Sequence, residues 1–164
     1  MVGRGAGRTQ EFVVRTVFRA PLSFAFRWCT DYSSKDSRLE EATFTRRVLR
    51  RDGRRVVYED LDPTEGGWMW SRWTVTLQPP DRWHGVSIGN YRSWTAEYRL
   101  RALGDGRTAF QFRGRRRPTG VARKSPPRAQ VQKNLNHIWT RFGRALEADY
   151  RATRPKPAAG RRRR

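Results

Sequence analysis

A chain of 164 residues is long enough to bury one sizeable core and short for two domains. Only 36% of the residues are hydrophobic, but 12% are aromatic and seven are Trp, which excludes a wholly disordered chain. The net charge is +21, and residues 11–150 alone keep +12, so a polyanion is one class of partner to consider. Because 32 of the 36 basic residues are arginine, GC-rich coding is an alternative explanation of the excess.

Cysteine content and hydropathy indicate the compartment. The single cysteine, Cys29, allows neither an internal disulfide nor a zinc site with paired cysteines. Residues 1–10 lack the apolar segment of a signal peptide, and no run approaches the roughly 18 apolar residues of a membrane span. We therefore expect a cytoplasmic protein that is neither exported nor integral to a membrane.

The first predicted elements are a strand and two short helices. Residues 11–20 (EFVVRTVFRA) alternate apolar and basic side chains over most of their length, which is typical of a half-buried strand. Pro21 ends this strand and can open a helix over residues 22–32. A second short helix is predicted in residues 33–42, where Ser and Asp are available as N-caps.

Six further strands are predicted, most of them joined as hairpins. The Asp52-Gly53 pair is a hairpin signal, and the later Gly-Asp-Gly sequence at residues 104–106 marks another tight turn. Alternation of side chains is clearest in residues 68–77 and 91–103, where apolar and polar residues occupy opposite faces. The six strands cover residues 44–50, 54–61, 68–77, 83–89, 91–103 and 108–114.

A long helix is predicted to close the chain. In residues 128–151, seven apolar side chains recur at helical spacing and share one stripe. An Arg- and Pro-rich connection, residues 115–127, precedes this helix. The sequence therefore predicts an α+β domain over residues 11–152, with a disordered N-terminus (1–10) and a disordered basic tail (153–164).

This order of elements resembles that of a known superfamily. The segments RAPLSFAFRWCTDYSS, VTLQPPDRW and YRLRALGDGRTAFQF, with the closing helix, are similar to parts of the SRPBCC superfamily. That superfamily includes START domains, Bet v 1-like proteins and polyketide cyclase/dehydrase-like proteins. The resemblance implies a helix-grip fold, in which a curved antiparallel sheet of about seven strands wraps a long C-terminal helix. It also implies a cavity for a hydrophobic ligand between sheet and helix, but fold alone does not choose the function.

Aromatic side chains dominate the predicted cavity. They alternate onto one face of the strands, where they could fill a core or contact a flat, ring-bearing ligand. Asp60 shares the face of Tyr58 and is therefore the expected inward carboxylate. The predicted cavity residues are Tyr58, Asp60, Trp73, Trp94, Tyr98, Phe110, Phe112, Leu135, Trp139 and Phe142.

No catalytic, metal or cofactor site is predicted. Neither a Ser-His-Asp order, nor histidines at metal-ligand spacing, nor a Gly-rich loop before a helix is present. His84 and His137 are expected at the surface, Cys29 in the core, and Glu97 on the outer face of the sheet. Asp31 is explained by closing the first helix.

A basic cluster forms the competing candidate site. From residue 106 to residue 146 the chain has eleven Lys or Arg and no acid. Such a cluster favours either an anion-binding rim or a solvated basic loop. Its densest part contains Arg113, Arg115, Arg116, Arg117, Arg123, Lys124 and Arg128.

Three functions follow from these features. The first is binding or carriage of a hydrophobic or aromatic small molecule, such as a lipid, polyketide or quinone-like compound, in the cavity. The second is weak, nonspecific binding of RNA or an anionic membrane surface through the arginines. The third, implied only by the resemblance, is a cyclase- or aromatase-like activity in the same cavity. The oligomeric state is left open.

Overall fold

In the computed structural model, which describes residues 8–119 and 126–154, a curved antiparallel sheet faces a long helix. The α+β helix-grip architecture predicted from the sequence is thus confirmed. In chain order the elements are β1 (Gln10–Phe18), α1 (Leu22–Cys29), α2 (Asp36–Leu39), β2 (Thr45–Asp52), β3 (Arg55–Thr64), β4 (Gly67–Gln78), β5 (Arg82–Gly89), β6 (Arg92–Ala102), β7 (Thr108–Pro118) and α3 (Arg128–Ala152).

The sheet has the order β1-β7-β6-β5-β4-β3-β2, and every neighbouring pair is antiparallel. Strands β2 to β7 follow one another as hairpins, whereas β1 adds to the far edge beside β7. Gly53 lies in the β2–β3 turn with φ of 35°, a left-handed conformation that favours glycine. The turn chemistry therefore agrees with the sheet order.

Alternating side chains build the core. Phe12 and Phe18 of β1 are buried, whereas Val13 and Val17 between them are exposed. The same period continues in β7, where Phe110 and Phe112 point inward. The inner face of the sheet is consequently apolar and aromatic, and the outer face carries most of the arginines.

Helix α3 is fixed against β1 and α1 by packing and by polar contacts. Leu146 is completely buried, and a Cβ at Gly143 would lie 3.3 Å from the Phe18 ring, so glycine allows a close approach. The Trp28 indole N–H donates to Asp149 Oδ2 at 2.8 Å. These contacts hold the apolar stripe of α3 toward the sheet.

Two predicted boundaries are corrected. Strand β7 continues to Pro118, so residues 115–118 belong to the sheet and not to the connection, because this part of the chain pairs with both β1 and β6. The second helix is a single turn of four residues.

The predicted disordered termini lie mostly outside the described residues, which exclude 1–7 and 155–164. Of the remainder, Gln10 begins strand β1 and Thr153 caps α3. No helix among the described residues is long and apolar enough to cross a membrane.

Candidate functional site

A cavity of about 380 Å³ lies between the inner face of the sheet and α3. Its walls come from β2 to β7 and from all three helices. Eleven aromatic side chains of the described residues line it, and one side is charged. This combination is typical of sites for small molecules that have an apolar body and a few polar groups.

The apolar side of the cavity is built from aromatic contacts. The rings of Trp83 and Tyr98 stack at 4.8 Å with an interplanar angle of 5°. Trp139 of α3 lies 4.1 Å from Phe110 and 5.9 Å from Tyr98, ring centroid to ring centroid. The helix and the sheet therefore share one continuous aromatic surface.

Most of the residues predicted from the sequence to line the cavity do lie around it. Phe110 is the exception, because it is only 2% exposed and is covered by Trp139 and Tyr98. Its place is the core beneath the cavity floor. The predicted residues that line the cavity are Tyr58, Asp60, Trp73, Trp94, Tyr98, Phe112, Leu135, Trp139 and Phe142.

The charged side of the cavity centres on Arg46. Its guanidinium forms two hydrogen bonds of 2.8 Å with the carboxylate of Asp60 on the neighbouring strand. It also pairs with Asp36 of α2, and it lies 4.3 Å from the centroid of the Tyr58 ring. Arg46 is thus held on three sides, and both of its carboxylate partners are themselves largely buried.

Burial governs the ionisation of the groups in this wall. Burial raises the pKa of Asp36 to about 6, although the Arg46 charge opposes the rise. It also raises the pKa values of Tyr32, Tyr58 and Tyr98 above the usual tyrosine range. The three phenols therefore stay protonated at neutral pH and can donate hydrogen bonds.

Glu40 and Arg92 complete the charged side. Glu40 follows α2, Arg92 begins β6, and both side chains line the cavity. Burial raises the pKa of Glu40 to about 7, opposed by Arg46 and Arg92, and burial lowers the pKa of Arg92. The cavity therefore holds a carboxyl group that titrates near neutral pH.

Nineteen of the described residues that line the cavity were not predicted to do so, and five of them are polar side chains on its charged side. Arg92 lies two residues before Trp94 and therefore shares its inner face, whereas Tyr32, Asp36 and Glu40 lie outside the strands, where two-residue alternation indicates no face. For Arg46, the one usable signal was its position two residues after Phe44, on the same face of a strand. These five polar residues are Tyr32, Asp36, Glu40, Arg46 and Arg92.

The predicted basic cluster divides between two faces. Arg113, Arg115 and Arg117 are exposed on the outer face of β7, where Arg115 pairs with Glu11. Arg116 does not belong to that surface: it is only 4% exposed and lines the cavity, because β7 continues and turns alternate residues inward. Its guanidinium donates to Gln10 Oε1 at 3.3 Å.

The remaining members of the cluster lie near the start of α3. Arg128 is exposed in the first turn of the helix, and its guanidinium donates to the Glu11 carbonyl at 3.1 Å. Arg123 and Lys124 fall outside the described residues. Of the described members of the cluster, Arg116 alone faces the cavity, whereas Arg115 and Arg128 both contact Glu11.

Nucleophilic and metal chemistry find little support in the described part of the chain. His84 and His137 are exposed, away from the cavity lining. Cys29 does line the cavity, but burial raises the pKa of its thiol, which keeps the sulfur protonated and unreactive. Within residues 8–119 and 126–154, no group of three or more His, Cys, Asp and Glu side chains could hold a metal ion.

Solved structures share this architecture, the helix-grip fold. The Zhui aromatase/cyclase from Streptomyces sp. R1128 has a TM-score of 0.67 and 14% identity, over 93% of this chain and 99% of that chain. The ginseng major latex-like protein 151 from Panax ginseng has a TM-score of 0.60 and 10% identity, over 88% and 99%. No protein-family model matches the sequence, and no curated protein matches it.

Proposed function

We propose that the chain binds an apolar, ring-bearing small molecule in the cavity between the sheet and α3. The observation that carries this proposal is the continuous aromatic surface formed by Trp83, Tyr98 and Trp139 around a space of about 380 Å³. A core that only stabilised the fold would close such a space, since cavities cost stability. The helix-grip fold of the neighbouring structures supports a ligand cavity in this place.

The binding free energy would come mainly from apolar burial. A ligand that loses roughly 200 Å² of apolar surface to the cavity gains on the order of 5 kcal/mol, at about 25 cal/mol per Å². Flat rings would add offset stacking against Tyr98 and Trp139. Because this term is not Coulombic, added salt should change the affinity little.

The proposal is tested with the neutral dye N-phenyl-1-naphthylamine, whose fluorescence rises in an apolar site. Tyr98→Ala should change the dye's affinity several-fold, because the ring forms part of the cavity wall. Ile88→Ala is the matched control, since this side chain is 57% exposed on the outer face of the sheet. Native mass spectrometry of the purified protein would then identify a co-purified molecule.

Polyanion binding is the alternative function, and one observation supports it. Arg113, Arg115 and Arg117 form an exposed row on the outer face of β7. Replacing all three by Ala should leave dye binding intact if the cavity is the functional site. The cavity proposal is wrong if no apolar compound binds, while the wild type holds single-stranded RNA at physiological salt and the triple variant does not.

A further inference from the structure

Two charged side chains in the cavity lack a direct protein partner in the described part of the chain. Neither the Glu40 carboxyl nor the Arg92 guanidinium forms a side-chain hydrogen bond or an ion pair there. The other charged side chains that line the cavity have direct partners. Arg46 binds both Asp36 and Asp60, Asp62 accepts a hydrogen bond of 2.6 Å from the Thr43 hydroxyl, and Arg116 donates to Gln10. Glu40 and Arg92 are therefore the groups left to meet a ligand.

We propose that Glu40 and Arg92 hold a hydroxyl group of the ligand between them, so that the ligand is a ring-bearing phenol or enol. This inference rests on the proposed function and specifies its ligand class. A hydroxyl group satisfies both side chains at once, since it donates its hydrogen to the Glu40 carboxylate and accepts one from the Arg92 guanidinium. The ring attached to the hydroxyl then lies against Tyr98 and Trp139.

Other polar groups fit this pair less well. A carboxylate or phosphate on the ligand would meet Arg92 but would also face the Glu40 carboxylate, a like charge at low dielectric. An ammonium group would meet Glu40 but face Arg92. A neutral donor and acceptor avoids both repulsions, and a buried site rejects analogues that leave its polar groups unpaired.

The protonation of Glu40 gives the site a pH dependence. Ionised Glu40 is the stronger acceptor for a hydroxyl hydrogen, so the preference for a hydroxyl-bearing ligand should grow as the pH rises through about 7. A phenol itself stays neutral over this range, since its pKa is near 10. The groups that act on Glu40 are Asp36 from α2, Arg46 from β2, Asp60 from β3, and Arg92 and Tyr98 from β6.

A matched pair of probes isolates the hydroxyl group. Isothermal titration calorimetry would compare 2-naphthol with 2-methoxynaphthalene, which keeps the ring but cannot donate a hydrogen bond. The wild type should bind 2-naphthol about tenfold or more tightly, as expected for a hydrogen bond to a charged group. Glu40→Leu should abolish this preference, whereas Glu97→Gln, on the exposed outer face, should keep it.

Two further variants keep the test decisive if Glu40→Leu does not fold. Glu40→Gln should retain part of the preference and lose its pH dependence between about pH 6 and about pH 8. Arg92→Met should reduce the preference in the same assay. Equal affinity of the wild type for the two probes, or tighter binding of 2-naphthoate than of 2-naphthol, would overturn the hydroxyl site. Failure of every naphthalene probe to bind would instead count against the proposed function itself.

Discussion

Glu40→Gln should stabilise the protein above neutral pH. The folded structure raises the pKa of this carboxyl from its ordinary 4.5 to about 7 because burial disfavours the charged form. Each pH unit between these values is worth about 1.4 kcal/mol, so ionised Glu40 costs the folded state about 3 kcal/mol. Glutamine has nearly the shape of the protonated side chain and carries no charge, so the variant escapes this cost.

The sign of the effect follows from proton release. At acidic pH the carboxyl is protonated in both states, and the variant should match the wild type. As the pH rises past 4.5 the unfolded chain loses the proton, whereas the folded chain keeps it to about 7, so the stability of the wild type falls across this window. Burial also raises the pKa of Asp36, to about 6. The stability of the variant should therefore still fall as the pH rises, but by less than that of the wild type.

Urea denaturation at about pH 4 and about pH 8, followed by circular dichroism, measures this difference. We expect equal free energies of unfolding at the lower pH and a variant that is more stable by up to about 3 kcal/mol at the higher. Glu97→Gln, at an exposed position, should show no such divergence. A variant that is less stable than the wild type at the higher pH would show that ionised Glu40 has a stabilising partner, and would refute the reasoning.

Three other predictions concern the charged wall, the helix and the tail. Arg46→Met should lower the free energy of unfolding by about 3 to 5 kcal/mol, because Asp36 and Asp60 lose their partner; an unchanged urea midpoint would mean that the ion pairs contribute nothing. Leu146→Ala should cost about 2 to 5 kcal/mol, since the side chain is fully buried, whereas exposed Arg144→Ala should be nearly neutral in the same assay. Deleting residues 155–164 should reduce heparin retention but leave the melting temperature unchanged, and a large fall would show that the tail packs.

The periodicity of the sequence determined the elements, because apolar burial requires a pattern that matches each element, and the resemblance of their order to a known superfamily implied the helix-grip architecture. Alternation at two residues predicted the strands, and the stripe at 3.6 residues predicted α3. The same alternation placed Asp60 on the face of Tyr58, where the structure has it. Burial of a large aromatic side chain is strongly favourable, so alternation placed most of the cavity aromatics correctly, although Phe110 lies beneath the cavity floor.

Only the tertiary structure decided the charged side of the cavity. Counted from the β2–β3 turn, Asp60 would face Arg47, but an irregularity at Leu49 shifts the register by one residue and sets Arg46 opposite Asp60 instead. Glu40 reaches the same wall from a one-turn helix that has no periodicity of its own. Alternation could indicate that Asp60 and Arg46 face inward, but it could not show that they pair, because a buried charge is placed by partners distant in sequence.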